Sequence, residues 1–190
     1  MDKKTDGRLE RSKKSRDLII SAMLDLIEEG ILMPTAKQVA QTANVGIRTV
    51  FRHFNDMEGL FKEISSINEA NMKSLLNDIN MSGSLDERIN NIVDRRINIY
   101  TKFKNFALAA RAAKWKFKYL EENQRNNEKI AVKRLYEIMP ELKKLSEDDQ
   151  HLVNINLSFD FWYSLTIQDS INDAKAGLLI KKQVKNLFKL

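Results

Sequence analysis

Four side chains in one short stretch, Ile47, Arg48, Thr49 and Arg52, have the chemistry of nucleic-acid recognition. A guanidinium can pair bidentately with guanine O6 and N7, which makes Arg48 the first candidate for direct base readout. Thr49 and Ile47 suit thymine methyl groups or the backbone, and Arg52 suits a phosphate or a base. Around them, Thr35, Lys37 and His53 are candidates for phosphate positioning, and Phe51 for packing against the sugar-phosphate chain or an adjacent core. Upstream, Lys13, Lys14 and Arg16 are further candidates for phosphate contact, with a solvated polar tail as the alternative.

Such residues need a frame, and the residues around them supply one. Thr35 follows Pro34 and stands three residues before Gln38, a capping box that starts a helix. Val39, Ala40 and Ala43 give that helix a small apolar face, and Asn44 tolerates the left-handed turn that ends it. Val45 anchors the turn, Gly46 leads into a second helix and is itself a candidate DNA contact, and Val50 and Phe54 point back into a core. Small Ala40, Asn44 four residues later and Val50 six after that have helix-turn-helix spacing, because the second helix must cross close over Ala40. The second helix of such a unit lies in the DNA major groove. An ordinary αα-hairpin satisfies the same spacing, so the pattern alone leaves that alternative open.

Residues 45–60, VGIRTVFRHFNDMEGL, resemble the signature of the TetR family of bacterial transcription regulators, and the helix ending at Gly30 and the 35–43 segment extend the likeness over residues 12–72. Two positions depart from it: Phe51 stands where Tyr is common and Met57 where Lys is common, removing a hydroxyl and an ammonium that could bond phosphate. The resemblance implies a homodimer whose two recognition helices read a palindromic operator, with the C-terminal pair of helices as the dimer contact. It also implies a small-molecule effector in the second domain that tilts the fourth helix and spoils the spacing of the two heads.

Composition narrows the class from another side. The 190 residues include 43% hydrophobic and 31% charged residues with only 6 Gly and 2 Pro, which argues for an all-helical protein. A net charge of +6 favours an anionic partner, without sequence preference of its own. No apolar run reaches membrane-spanning length, the N-terminus is polar, and Cys is absent, so a cytoplasmic protein without disulfides is expected. The two histidines, His53 and His151, lie far apart, and no metal-ligand spacing, Gly-rich phosphate loop or nucleophile elbow occurs. No enzyme activity, cofactor or metal is therefore expected.

Along the chain, residues 1–11 read as a disordered basic arm and residues 12–72 as the DNA-binding domain, whose first helix runs from about Ser12 or Ser15 to Glu29. Asn55 with Glu58 forms a second capping box that opens a long fourth helix to about Asn80. Residues 73–190 read as a helical ligand-binding and dimerisation domain. After a break at residues 80–84, Ser84 with Glu87 starts a helix through about Phe103. Between Lys102 and Tyr119 aromatic stripes alternate with six cations and no carboxylate. The plain reading is a buried helix with snorkelling lysines; the sharper one is an effector pocket lined by Phe103, Phe106, Arg111, Trp115 and Tyr119. A second nucleic-acid surface is the weakest of the three, because the apolar stripes leave no clean basic face. A helix from Ser146 to about Ile171 carries an apolar arc wider than one face requires, and a last helix spans about Asn172 to Phe188. Phe159, Trp162, Leu165, Leu178, Val184 and Leu187 are the expected dimer interface.

The sequence thus predicts an all-α chain of about nine helices: a three-helix helix-turn-helix head joined by a long fourth helix to a C-terminal bundle. The expected function is sequence-specific binding of a double-stranded operator as a repressor released by a small-molecule effector. The alternative is a helical small-molecule-binding protein with weak or non-specific DNA binding.

Overall fold

The computed structural model describes residues 3–77 and 82–190, with residues 3–6, 73, 76 and 77 described by backbone alone. The described residues form nine α-helices and no strand: α1 (Lys3–Glu28), α2 (Ala36–Thr42), α3 (Ile47–Phe54), α4 (Met57–Asn77), α5 (Leu85–Ala113), α6 (Lys118–Ile138), α7 (Glu147–Asn156), α8 (Phe159–Tyr163) and α9 (Asp173–Leu187). The expected end of α4 at about Asn80 and the part of the expected break at Asn80 and Met81 lie outside the described residues.

The chain divides into two compact units, residues 1–71 with 103–123, and residues 72–102 with 124–190. That division differs from the single cut expected after residue 72. Phe106, Ala109, Ala113, Phe117 and Leu120 are buried in one cluster with Ile19, Met23 and Ile27 of α1 and with Leu60, Phe61 and Ile64 of α4. A three-helix head alone leaves that face of α1 and α4 uncovered, and the apolar stripe of residues 106–120 covers it.

Local chemistry sets the head's turns. The capping box is formed: the Gln38 N–H donates to Thr35 Oγ1 (3.3 Å) and the Thr35 N–H to Gln38 Oε1 (2.9 Å). Asn44 takes the left-handed conformation between α2 and α3 (φ 51°). Asn55 also has a positive φ after α3 (63°), so it closes α3 instead of capping α4. The cap of α4 is Asp56, whose Oδ1 accepts from the Gly59 N–H at 2.7 Å. Gly59 is required there, because a Cβ would overlap the Phe54 carbonyl oxygen.

Two helices depart from the sequence expectation by extending further. α1 begins at Lys3, so residues 3–11 are helical where a disordered arm is expected. α5 begins at the expected Ser84–Glu87 capping box but continues past Phe103 to Ala113.

In the second unit the helix expected from Ser146 to about Ile171 is broken. The Leu157 carbonyl accepts from Tyr100 Oη (2.6 Å) and from Arg96 Nη1, so it is unavailable to the next turn. The Phe161 N–H turns to Ser158 Oγ (3.1 Å), and α8 starts afresh before running into a π-helical turn, Ser164–Gln168. The core here gathers Ile89, Ile92 and Val93 of α5, Leu135 and Ile138 of α6, Val153 of α7, Trp162 of α8, and Ile180 and Val184 of α9. Arg88 is buried in this unit, donating to the Ile138 carbonyl (2.7 Å) and to Glu141 (3.0 Å).

Candidate nucleic-acid interface

The display of α3 follows from which of its residues the core takes. Val50 and Phe54 are 1% and 6% exposed, whereas Ile47, Arg48, Phe51 and Arg52 are exposed. These four occupy i, i+1, i+4 and i+5, which places them on one helical face opposite Val50. Thr49 is half-buried and lies off that face, so it is less available for base contact than the sequence suggests. Phe51 is on the exposed face, between the two arginines, and does not join the head's core. Gly46 is exposed and has no side chain to cap the first turn of α3; its carbonyl accepts from the Thr49 N–H at 2.8 Å.

The flanking candidates divide. Lys13, Lys14 and Lys37 are exposed, as are Arg8 and Arg11 on the same helix as the first two. The extended α1 brings these two arginines into play, a consequence hidden while residues 1–11 read as an arm. Thr35 is exposed, with its hydroxyl hydrogen already given to Gln38 Oε1 (2.8 Å). Arg16 requires a correction: it pairs with Glu63 at 2.7 Å and lies over the Phe54 ring at 5.2 Å, so it fastens α1 to α3 and α4. His53 requires another. Its Nε2 is buried with no hydrogen-bond partner, and burial, followed by the charges of Arg52 and Arg16, holds its pKa below the usual imidazole range. A neutral ring turned inward does not supply the cation that phosphate positioning calls for.

The residues expected to line an effector pocket differ in burial. Phe106 belongs to the core of the first unit, Phe103 is also buried, and Arg111 is half-buried. Tyr119 lies half-buried beneath Lys62 Nζ (5.1 Å), and Trp115 is 87% exposed. The alternation of lysines and aromatics is legible in the sequence, but the turn that separates Trp115 from the buried stripe is not. Of the expected dimer residues, Trp162 and Val184 are consumed by the core of their own unit, and Trp162 Nε1 donates to Asp173 at 3.0 Å. Phe159, Leu165 and Leu187 are partly buried against the same core, and Leu178 is 67% exposed.

Among the described residues no cluster of His, Cys, Asp or Glu could hold a metal, and no helix is long and apolar enough to cross a membrane.

An all-helical chain whose α3 is displayed on a buried α1–α2–α4 frame has the fold of TetR-type transcriptional regulators. A transcriptional regulator from Rhodococcus sp. Rha1 superposes with a TM-score of 0.70 at 12% identity, over 94% of this chain and 96% of that one. A candidate TetR-family transcriptional regulator from Mesorhizobium loti superposes with a TM-score of 0.57, also at 12% identity, over 95% and 96% of the two chains. In sequence, the uncharacterised HTH-type transcriptional regulator YvkB of Bacillus subtilis is 32% identical over 62 residues. That match spans 33% of each chain, so this chain covers about a third of the length of the curated relative it matches. No protein-family model matches the chain.

Proposed function

We propose that this protein is a sequence-specific DNA-binding transcription regulator without enzymatic activity, working in the cytoplasm as a homodimer on a palindromic operator. The observation that carries the reading is the exposed face of α3, where Ile47, Arg48, Phe51 and Arg52 are presented while Val50 and Phe54 fix the helix from behind. Exposed Lys13, Lys14 and Lys37 support it as phosphate contacts. Repression follows from occupancy of the operator. Twofold pairing sets two recognition helices about one turn of DNA apart, roughly 34–36 Å. For the dimer contact the exposed apolar residues of the second unit, Leu152, Ile155, Ile167 and Leu178, replace the buried Trp162 and Val184.

Release by a small-molecule effector rests on α4, where Ser65 Oγ and Asn68 Nδ2 are buried without hydrogen-bond partners. Such groups are costly to leave unpaired, and a polar ligand would satisfy them.

Selection of bound sequences from a random DNA pool at near-physiological salt tests the reading. A palindromic motif with fixed half-site spacing is the expected result; recovery of no motif, with binding that vanishes as salt rises, would refute it. Arg48→Ala should then lose about 1–3 kcal/mol of base discrimination, with dimerisation unchanged in sedimentation. A specificity ratio equal to the parent's would remove Arg48 from base readout. The second reading, a small-molecule binder with only non-specific DNA affinity, draws on the internal use of Arg16 and His53, which thins the phosphate contacts. Its signature is that Arg48→Ala changes nothing.

A further inference from the structure

Residues 114–117 form the corner between α5 and α6, and Trp115 at that corner is 87% exposed, against 2% for Trp162. The exposure is not that of a loose loop. Ala113 and Phe117 on either side are buried in the core of the first unit, and the Phe117 ring meets Phe61 at 5.5 Å. Both the Lys116 and the Phe117 N–H donate to the Ala113 carbonyl at 2.9 Å. Packing therefore holds the corner in a shape that leaves a large ring in water, with no contribution from that ring to the core.

Lysines stand on both sides of Trp115 in the corner. Lys114 Nζ lies over Trp115 at 5.1 Å, and Lys116 Nζ over Phe117 at 5.5 Å. Lys118 is exposed and faces Glu122 at 3.7 Å, while Lys62 faces Glu58 at 3.2 Å. Lys114 and Lys116 thus give the tip its positive character.

The corner's place in its unit follows from its neighbours. From the corner into α6, Phe117 meets Phe61, Tyr119 lies beneath Lys62 and Asn123 donates to Glu69, so α6 and α4 run in the same direction. The corner therefore sits toward the N-terminal end of α4, the end that follows α3 directly. α1 has the same polarity. Arg16 meets Glu63 and Phe54, whereas the carbonyl of Glu28 accepts from Asn105 (2.9 Å), about 13 Å of helix back from the corner at 1.5 Å per residue. The recognition helix, the cationic half of α1 and the lysine-flanked tryptophan all lie at one end of the first unit.

We propose that the α5–α6 corner is a second DNA contact of this unit, with Lys114 and Lys116 on backbone phosphates and Trp115 flat against the adjoining sugar. The inference rests on the reading of the head as a DNA binder. It replaces phosphate contacts that Phe51 and Met57 do not make. A lipid surface fits less well, because an interfacial anchor presents a broad apolar face. Trp115 is the only large apolar side chain exposed among residues 103–123.

The full-length chain, titrated with a short duplex of random sequence over a range of salt, provides the test. Each phosphate that a variant no longer neutralises makes the slope of log K against log salt shallower by about 0.9, so Lys114→Ala/Lys116→Ala should flatten it by about 1.8. Fluorescence of Trp115, taken as the parent minus Trp115→Phe, should become protected from acrylamide when the duplex binds. An unchanged slope with unprotected Trp115, while Arg48→Ala still weakens preference for pool-selected sequences, overturns the corner contact and leaves the head's function standing. Failure of the parent to bind any duplex overturns both. Protection by phosphatidylglycerol vesicles and not by DNA overturns the contact as well and assigns the corner to lipid.

Discussion

In the first unit Thr35 and Asp56 start their helices through bonds that reach three residues along the chain, and Asn44 and Asn55 turn it by their own backbone angles. In the second unit the break between α7 and α8 depends on Arg96 and Tyr100, which lie 61 and 57 residues before the carbonyl they bind. The buried Arg88 likewise holds a carbonyl and a carboxylate 50 and 53 residues away. A recognition helix must be displayed in one orientation: short-range caps set the turns at its two ends, and Val50, Phe54 and the Arg16–Glu63 pair tie it to α1 and α4. The second unit adds distant polar bonds to its own local caps at Ser146, Ser158 and Asn172, so loss of Arg88 or Tyr100 there is felt across several helices.

The largest effect should come from Gly59, the closest approach in the head. Gly59→Ala drives a methyl into the Phe54 carbonyl and should cost about 3 kcal/mol, read as a fall in the urea midpoint. A midpoint equal to the parent's would mean that α3 and α4 can separate there at no cost. Arg88→Met comes next, at about 2–3 kcal/mol. It strips the Ile138 carbonyl and Glu141 of their donor, and amide exchange should quicken through the second unit and not in α2 or α3.

Smaller and more pointed is a pair. Thr35→Ala and Tyr100→Phe should each cost about 1 kcal/mol, but hydrogen exchange should localise the first to α2 and spread the second over α7 and α8. Equal spreading by both would erase the distinction between short-range and long-range control.

Acid should separate the units too. Hydrogen bonds from Arg88, its main cause, hold the Glu141 carboxyl below its ordinary value of 4.5. The pair therefore stabilises the second unit above that value and loses its contribution as pH falls through the depressed folded-state pKa. His53 is shifted down from 6.5, chiefly by burial, so the folded head disfavours its protonation and should begin to lose stability below about pH 6.5. Protection factors, each taken against the intrinsic exchange rate at its own pH, should fall first in α3 between about pH 7 and 4, and the Arg88→Met chain should show a flatter acid limb in the second unit.

These contrasts also explain what can be read from residues alone. The helix-turn-helix frame is legible because capping boxes, an αL asparagine and a small crossing residue are short-range signals, and Thr35, Gln38, Ala40 and Asn44 carry them within ten positions. The outward face of α3 follows from Val50 and Phe54 by helical period. His53 misleads because its type suggests phosphate, while its burial is a property of the packed head. Arg16 misleads for the same reason, its partner Glu63 lying 47 positions on. The α7–α8 break is illegible, since Ser158 looks like any mid-helix serine until Arg96 and Tyr100 take the carbonyl before it. Trp162 and Leu178 group together as interface by apolar type, and only packing separates the buried ring from the exposed leucine.

Because the first unit borrows residues 103–123, it is complete only after the second unit's first segment, residues 72–102, has been made. On the ribosome, the roughly fifty residues between Asn71 and Asn123 take about 3–10 s to appear. Throughout that interval Leu60, Phe61 and Ile64 lack the covering provided by Phe106, Phe117 and Leu120. A nascent head is therefore a client for chaperones that shield apolar helices, and a fragment cut after residue 72 inherits the same exposed face permanently.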